Sequence, residues 1–179
     1  MGSGPIIFIP GGVMKLIRII VLPLLLSAHG PALGGFEEGA TAYKQSDYDT
    51  ALREWRPLAE QGDANAQLNL GFMYDNGYGV PQDYKMAMTW YLRAAERGNK
   101  RAQYNLGLMY DIGHGVAPDK VQAYMWYDIA GVPVAVNYRD HVAREMTSEQ
   151  VVDAQRLASE WMGKHLGRTG ETMTRMATR

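Results

Sequence analysis

The sequence predicts an all-α protein, a right-handed α-solenoid of helix–turn–helix repeats that ends in a C-terminal helical cap. The first observation is an internal repeat: residues 66–94 and 102–130 agree at 16 of 29 positions when aligned at an offset of 36. A fixed period of roughly 20–50 residues is typical of solenoids, in which each unit buries its apolar face against its neighbours. The second observation is the helical spacing of apolar residues within each copy. The third is a glycine-rich turn that separates the two helical stretches.

The first helix of each copy is predicted by apolar residues that share one face. In the first copy these are Ala66, Leu70 and Tyr74, at spacing i, i+4 and i+8. Residues at this spacing stack along one side of a helix. Gly77 and Gly79 follow, and glycine adopts the positive φ values that end helices and form tight turns.

The second helix of each copy begins after an acidic residue. Asp83 stands where a helix N-cap is needed, Ala87, Trp90 and Tyr91 follow at helical spacing, and Gly98 ends the helix. Aspartate at this position accepts hydrogen bonds from the free backbone N–H groups of the first turn. The structural repeat positions are Ala66, Leu70, Gly71, Tyr74, Gly77, Gly79, Asp83, Ala87, Trp90, Tyr91, Gly98, Ala102, Leu106, Gly107, Tyr110, Gly113, Gly115, Asp119, Ala123, Trp126 and Tyr127.

An earlier, degenerate unit is predicted over residues 37–65. Asp47 and Trp55 lie one period before the equivalent residues of the first clear copy, whereas the residues before Asp47 do not match at this offset. Pro57 falls inside the second helix of this unit, predicted over 50–61, where a proline costs about 3 kcal/mol. The sequence leaves open whether the helix kinks at this proline or starts anew.

Two further helices are predicted after the repeats. Gly131, Val132 and Pro133 break the pattern, and a helix over 136–145 follows. The last helix opens with Thr147 and Gln150, which have the spacing of a capping box. Terminal units of solenoids differ from the others because they close the core with a polar outer surface.

The N-terminal residues predict an exported protein. Lys15 and Arg18 precede an apolar stretch over 19–26 and then small residues, which is the layout of a secretory signal peptide. Cleavage before Gly35 or after Ala28 fits the small residues, and an uncleaved anchor is the alternative. The apolar stretch is short for a membrane span. We therefore expect a bacterial protein that is periplasmic or secreted.

The predicted parts of the chain follow from these patterns. They are residues 1–34, an upstream extension plus signal peptide whose true start we place at Met14; residues 35–133, the repeats, with a degenerate unit at 37–65 and clear units at 66–101 and 102–133; residues 134–163, the capping helices; and residues 164–179, a glycine- and threonine-rich flexible tail.

The repeat pattern resembles a known family. The spacing A-x-x-x-L-G-x-x-Y-x-x-G-x-G-V-x-x-D-x-x-x-A-x-x-W-Y-x-x-A is similar to that of the Sel-1-like repeat, a relative of the tetratricopeptide repeat. The resemblance covers residues 37–131, with two complete copies and one that matches only in its second half. The period of 36 exceeds the tetratricopeptide period of about 34, and we place the extra length in the glycine turn. The resemblance implies an adaptor in protein complexes, in many cases in the bacterial cell envelope.

The sequence offers little catalytic chemistry. It contains no cysteine, which excludes disulfides and thiolate metal sites within it. Its four histidines are scattered, and the i, i+4 pair of His141 and Glu145 has no third ligand. No serine is followed by lysine at the third position, and phosphate-binding glycine loops are absent. We therefore predict no enzyme activity, no cofactor and no metal. The alternative is an envelope hydrolase, β-lactamase-like by distant family analogy.

The predicted function is protein binding on a concave surface lined by the first helices. Asn69 and Asn105 lie off the predicted packing face and could hydrogen-bond a partner's backbone, while Met73, Tyr104 and Met109 could supply apolar contacts. The alternative for the two asparagines is a structural bond between adjacent units. The formal net charge of −1 gives no electrostatic case for nucleic acid. The expected partner is another protein, with no stable membrane span after signal cleavage.

Overall fold

The computed structural model describes the backbone of residues 34–177 and the side chains of residues 35–165. All regular secondary structure in this part of the chain is helical, and it contains no strand. Its helices are α1 Gly34–Lys44, α2 Tyr48–Glu60, α3 Ala64–Asn76, α4 Tyr84–Glu96, α5 Lys100–Ile112, α6 Lys120–Ala130, α7 Pro133–Ala143 and α8 Ser148–Ala177.

Each helix from α1 to α6 packs against the next one along the chain, and α8 packs on α6. This is the all-α solenoid that the repeat predicts. The predicted start at Met14, the signal peptide and its cleavage after Ala28 fall on residues outside the described part. Within residues 34–177, no helix combines the length and the apolar character that a membrane crossing requires.

Short polar side chains fix where the helices begin. Asp83 and Asp119 each accept hydrogen bonds from two backbone N–H groups, at the starts of α4 and α6. Asp63 and Asn99 do the same for α3 and α5. These bonds satisfy donors that have no partner within the helix. At the other end, left-handed glycines stop α3, α5 and α6.

A glycine on the first helix of each unit lies directly under an aromatic ring of the second helix. A Cβ atom added to any of these glycines would come within 2.4–2.5 Å of the ring. Real Cβ atoms do not approach other atoms so closely, so the two helices can reach this separation only with glycine. The pairs are Gly39 with Trp55, Gly71 with Tyr91 and Gly107 with Tyr127.

The early unit has the same helix packing as the two clear copies but a shorter turn. Three residues separate α1 from α2, whereas seven separate α3 from α4 and α5 from α6. Gly39 therefore lies 32 residues before Gly71, and an offset of 36 cannot align the two. This difference explains why only the second half of the unit matches the repeat. Pro57 lies inside α2, which continues through it without a break.

The core runs through all the units. Tyr74 packs against both the cluster around α2 and α3 and the cluster around α4 and α5. Tyr110 packs against the latter cluster and the one around α6 and α7. Both tyrosines are half-buried, and each joins two neighbouring parts of the core.

Two methionines predicted to contact a partner lie in the core instead. Met73 has 0% of its surface exposed and Met109 has 2%. The buried stripe of α3 runs through Ala66, Leu70 and Met73, at spacing i, i+4 and i+7, and Tyr74 lies at its edge. The prediction was wrong because it placed the stripe at Tyr74, which left Met73 on the open side of the helix.

The C-terminal region differs from the prediction in extent. Helix α7 begins at Pro133, three residues before the predicted start, and α8 continues to Ala177, through the segment predicted to be a flexible tail. The capping box is present: the Gln150 N–H donates to Thr147 Oγ1, and the Thr147 N–H donates to Gln150 Oε1. Once such a start has formed, each added residue extends a helix at little cost, and no proline interrupts this one.

Candidate functional site

Two adjoining cavities follow the first helices of the units. One, of about 390 Å³, lies between α1 and α3 and is lined by residues that include Tyr43, Lys44 and Trp55. The other, of about 380 Å³, lies between α3, α5 and α7. Asn69 and Phe72 line both. We call the combined surface the first-helix groove.

The first-helix groove is rich in exposed apolar and aromatic surface. Phe72 is 41% exposed and Val134 is 46% exposed, although both are large apolar side chains. The Tyr43 ring lies 5.7 Å from the Trp55 ring and 6.4 Å from the Phe72 ring, centre to centre. Exposed apolar patches with polar neighbours are typical of interaction sites.

The groove also holds polar groups at regular intervals. Asn69 on α3 and Asn105 on α5 occupy equivalent positions, 36 residues apart, and both are partly exposed. Each amide can both donate and accept hydrogen bonds. Lys44 adds a positive charge to the cavity between α1 and α3, and Arg101 adds one to the cavity between α3, α5 and α7.

The predicted contact residues are distributed unevenly. Asn69, Tyr104 and Asn105 line the groove, whereas Met73 and Met109 are buried beneath their helices. Tyr104 also packs against Tyr138, with ring centres 5.6 Å apart. Burial, together with this neighbouring hydroxyl, raises the pKa of Tyr104 to about 12. Tyr104 is therefore partly a packing residue.

A third cavity, of about 240 Å³, lies between the C-terminal ends of α3 and α5 and is called here the Asp75 pocket. It is lined by Asp75, Tyr84, Asn105 and His114, together with apolar side chains of α5. The Tyr91 hydroxyl donates to Asp75 Oδ2 at 3.3 Å. Burial raises the pKa of the Asp75 carboxyl, and the Tyr91 bond and His114 act in the opposite direction.

The equivalent carboxylate in the next unit has a cationic partner. The Tyr127 hydroxyl donates to Asp111 Oδ2 at 3.4 Å. The Lys120 ammonium donates to Asp111 Oδ1 at 2.7 Å and also lies 3.1 Å from Glu145. These two carboxylates raise the pKa of Lys120, Asp111 having the larger effect.

The sequence analysis missed two glutamines that have a structural role. Gln67 and Gln103 are buried, and their side-chain amides donate to the Ala59 and Ala95 carbonyl groups of the preceding helix at 2.9 and 3.1 Å. Their equivalent positions in the two copies, 36 residues apart, were the sequence feature that could have indicated this role. Sequence alone cannot show that a polar residue next to an apolar stripe is buried.

The histidine pair noted in the sequence forms a weak contact. His141 Nε2 lies 3.7 Å from Glu145 Oε1, and both side chains are largely exposed. Within the described residues, no group of three or more histidine, aspartate and glutamate side chains is arranged to hold a metal ion.

These features define an α-helical repeat protein whose units stack through glycine–aromatic contacts. Residues 64–99 and 100–131 match the Sel1 repeat family. The chain therefore contains two Sel1 repeats, and the predicted resemblance is confirmed. Sel1 repeats are generally protein–protein interaction modules.

Solved structures show the same fold. A protective antigen of uropathogenic Escherichia coli, described as displaying an SLR fold, is 29% identical with a TM-score of 0.71, over 79% of this chain and 32% of that one. A Sel1 repeat protein from Oxalobacter formigenes is 30% identical with a TM-score of 0.59, over 70% of this chain and 55% of that one. This chain thus spans about a third of the first protein and about half of the second. No curated protein sequence matched the chain.

Proposed function

We propose that this protein is a non-enzymatic binding module, an adaptor or regulator of a bacterial cell envelope, that holds another protein in the first-helix groove. The observation that carries the proposal is the pair of adjoining cavities, which share Asn69 and Phe72 and expose large apolar side chains. The groove extends over helices of three successive units and α7, so it offers a partner an elongated surface.

The physical basis is the combination of apolar area and regular amides. Removing apolar surface from water favours binding by about 25 cal/mol per Å². A partner backbone that enters the groove needs replacements for its lost water contacts, and Asn69 and Asn105 can supply a donor and an acceptor each. Packed helices lie roughly 8–10 Å apart, and an extended peptide advances about 3.3 Å per residue. Two or three residues of an extended partner segment would therefore span the distance from Asn69 to Asn105.

The envelope location is supported by the residues before the first helix. The basic residues, apolar stretch and small residues over 14–34 have the layout of an export signal. Mass spectrometry of the protein from its native host is expected to give an N-terminus near Gly35 or His29. Detection of residues 1–13 in the mature protein would contradict export by this route.

A matched pair of substitutions tests the groove. Phe72 and Leu92 are 41% and 40% exposed, but Phe72 lines the groove and Leu92 lies on the second helix of the same repeat. Once a partner has been captured from an envelope extract and purified, Phe72→Ala should weaken its binding at least tenfold, about 1.4 kcal/mol. Leu92→Ala should leave it unchanged. Circular dichroism checks that the helices of both variants are intact. If only Leu92→Ala then weakens binding, the binding face lies on the second helices.

A further inference from the structure

The Asp75 pocket and its counterpart in the next unit are built on the same scaffold. Asp75 and Asp111 lie 36 residues apart at equivalent positions near the ends of α3 and α5. In both, a buried tyrosine of the following helix donates its hydroxyl to Oδ2, at 3.3 Å from Tyr91 and 3.4 Å from Tyr127. The other oxygen, Oδ1, is left for a different partner.

The two units differ in that second partner. Lys120 follows the N-cap of α6 and places its ammonium 2.7 Å from Asp111 Oδ1. The equivalent residue, 36 positions earlier, is Tyr84, which stacks on His114 with ring centres 4.1 Å apart. Among the described residues, no lysine or arginine forms an ion pair with Asp75 in the way that Lys120 does with Asp111.

We propose that the Asp75 pocket binds the primary ammonium group of a ligand, either a lysine side chain of a protein partner or a free alkylamine. The Lys120–Asp111 pair shows within the same molecule how an ammonium group is held on this scaffold. The lysine form rests on the proposed function, because the pocket shares Asn105 with the first-helix groove and a partner held there can reach it.

The pocket also suits the rest of such a ligand. Leu108 and Ile112 of α5 form an apolar wall, and Ile112 is 57% exposed, so a chain of methylene groups can pack on it. Asn105 and Asn76 provide further polar atoms beside the carboxylate. Gln82 Nε2 donates to the Asp75 backbone carbonyl at 2.7 Å, which fixes the turn next to the site.

The charge balance favours an ammonium ligand. Asp75 is half-buried, and a carboxylate withdrawn from water without a cationic partner is unfavourable. An ammonium group would supply charge-assisted hydrogen bonds to Oδ1 while Tyr91 holds Oδ2. Tyr84, Tyr91 and His114 are the other titratable groups at the pocket. None of them carries the permanent positive charge that Lys120 brings to Asp111.

The direct test is a nuclear magnetic resonance titration of the folded protein with three probes. They are the peptide acetyl-Gly-Lys-Gly-amide, the same peptide with an acetylated lysine, and 1,4-diaminobutane. We expect the lysine peptide to shift the resonances of Tyr84, Tyr91 and His114 to saturation, and the acetylated peptide to have no such effect. Saturation by the diamine without the lysine peptide would identify a free amine as the source. Equal binding of the acetylated peptide, or no saturable shift with any probe, would overturn the proposal.

Matched variants locate the binding. Asp75→Asn should weaken the effective probe at least tenfold, whereas Asp111→Asn, at the site already filled by Lys120, should have no effect. Equal losses in both variants would contradict the assignment. Tyr84→Lys should supply an ammonium from within the chain and abolish probe binding, while Tyr84→Phe should retain it. Unchanged binding by a folded Tyr84→Lys variant would also overturn the proposal.

A groove variant separates this inference from the proposed function. Phe72→Ala lies outside the Asp75 pocket and should leave probe binding unchanged while it weakens capture of a protein partner. Probe binding without partner capture would refute the groove alone. Partner capture without probe binding would refute the ammonium site alone.

Discussion

Residues 64–99 and 100–131 form two repeats with the same packing and different polar contacts. In each, a glycine lies under a tyrosine ring, and that tyrosine donates its hydroxyl to an aspartate of the first helix. The aspartate of the second repeat is paired with Lys120, whereas that of the first borders an open cavity. The comparison shows that a repeat can keep its core positions and still present a distinct site, because the residue after the N-cap changes from Tyr84 to Lys120 while the glycine–tyrosine contact is retained.

The junctions between units show the same principle. The Tyr78 ring stacks on Tyr48 of the preceding unit with centres 4.9 Å apart, and His114 stacks on Tyr84 in the same way. At the third junction, Lys120 occupies the position of these tyrosines and contacts Glu145 instead. The junction is thus aromatic between the repeats and ionic where the repeats meet the C-terminal helices.

The largest expected effect tests whether the two cores are equivalent. Tyr91 and Tyr127 are both fully buried, so Tyr91→Ala and Tyr127→Ala should each reduce the free energy of unfolding by about 3–5 kcal/mol. Urea denaturation measures the loss. The Tyr→Phe variants keep the ring and serve as controls, with a smaller loss. A difference of several kcal/mol between the two alanine variants would show that the cores are not equivalent.

The next effect tests the glycine–ring contact. Gly71→Ala and Gly107→Ala would each place a Cβ atom within 2.5 Å of a tyrosine ring and should destabilise the protein by about 1–3 kcal/mol. Gly163 in α8 has open space around its Cβ position, so Gly163→Ala should instead stabilise by about 0.5–1 kcal/mol. The change in melting temperature shows whether each variant is destabilised or stabilised. Neutral behaviour of Gly71→Ala and Gly107→Ala would mean that the helices separate easily at these contacts.

A smaller effect separates the two carboxylates. Asp111→Asn removes the charged partner of Lys120 and should cost about 1–2 kcal/mol at neutral pH, a value discounted for the partial exposure of the lysine. Asp75→Asn keeps an acceptor for the Tyr91 hydroxyl and removes an unpaired charge, so its stability should stay close to that of the parent protein. Chemical denaturation of both variants measures the two changes in the free energy of unfolding. A larger loss for Asp75→Asn would reveal a cationic partner at that site.

The smallest effect is a pH dependence at Asp75. Because burial raises the pKa of this carboxyl in the folded protein, the native state takes up a proton more readily than the unfolded chain, whose value is about 3.9. As the pH falls through the raised pKa toward about 3.9, the parent protein should therefore gain stability relative to Asp75→Asn. Paired urea titrations from pH 7 to pH 4 measure this difference. A relative loss of stability in the same window would mean that Asp75 is better stabilised as a carboxylate than its burial suggests.

The sequence predicted the helices of the repeats, their caps and part of the stacking stripe from local patterns. Asp83 and Asp119 cap the helices that follow them, and Ala66 and Leu70 are buried. These outcomes depend on helical spacing and on free N–H groups, which are properties of a few adjacent residues. The early unit was harder to recognise because its turn is four residues shorter, which breaks the fixed offset without changing the helix packing.

The candidate sites depended on side-chain depth, which the sequence did not contain. Asn69 and Asn105 were identified as open positions and do line the groove, but Met73 and Met109 were placed on the wrong side of their helices. A shift of one residue turns a helix by about 100°, so a stripe defined by Tyr74 rather than Met73 misassigns a whole edge. The Asp75 pocket was not predicted, because its lining residues come from α3, α4, α5 and the turns between helices, which only the packing brings together.

The repeat, its period and its turn residues determined by themselves that this chain is a helical solenoid with two Sel1 repeats. Tertiary structure alone decided which side chains face the groove and which aspartate has a cationic partner. The reason is distance along the chain: Tyr91 is 16 residues from Asp75, and Lys120 is nine residues from Asp111. Whether such residues meet depends on how the helices pack, and that packing is set by the glycines that allow the aromatic rings to approach.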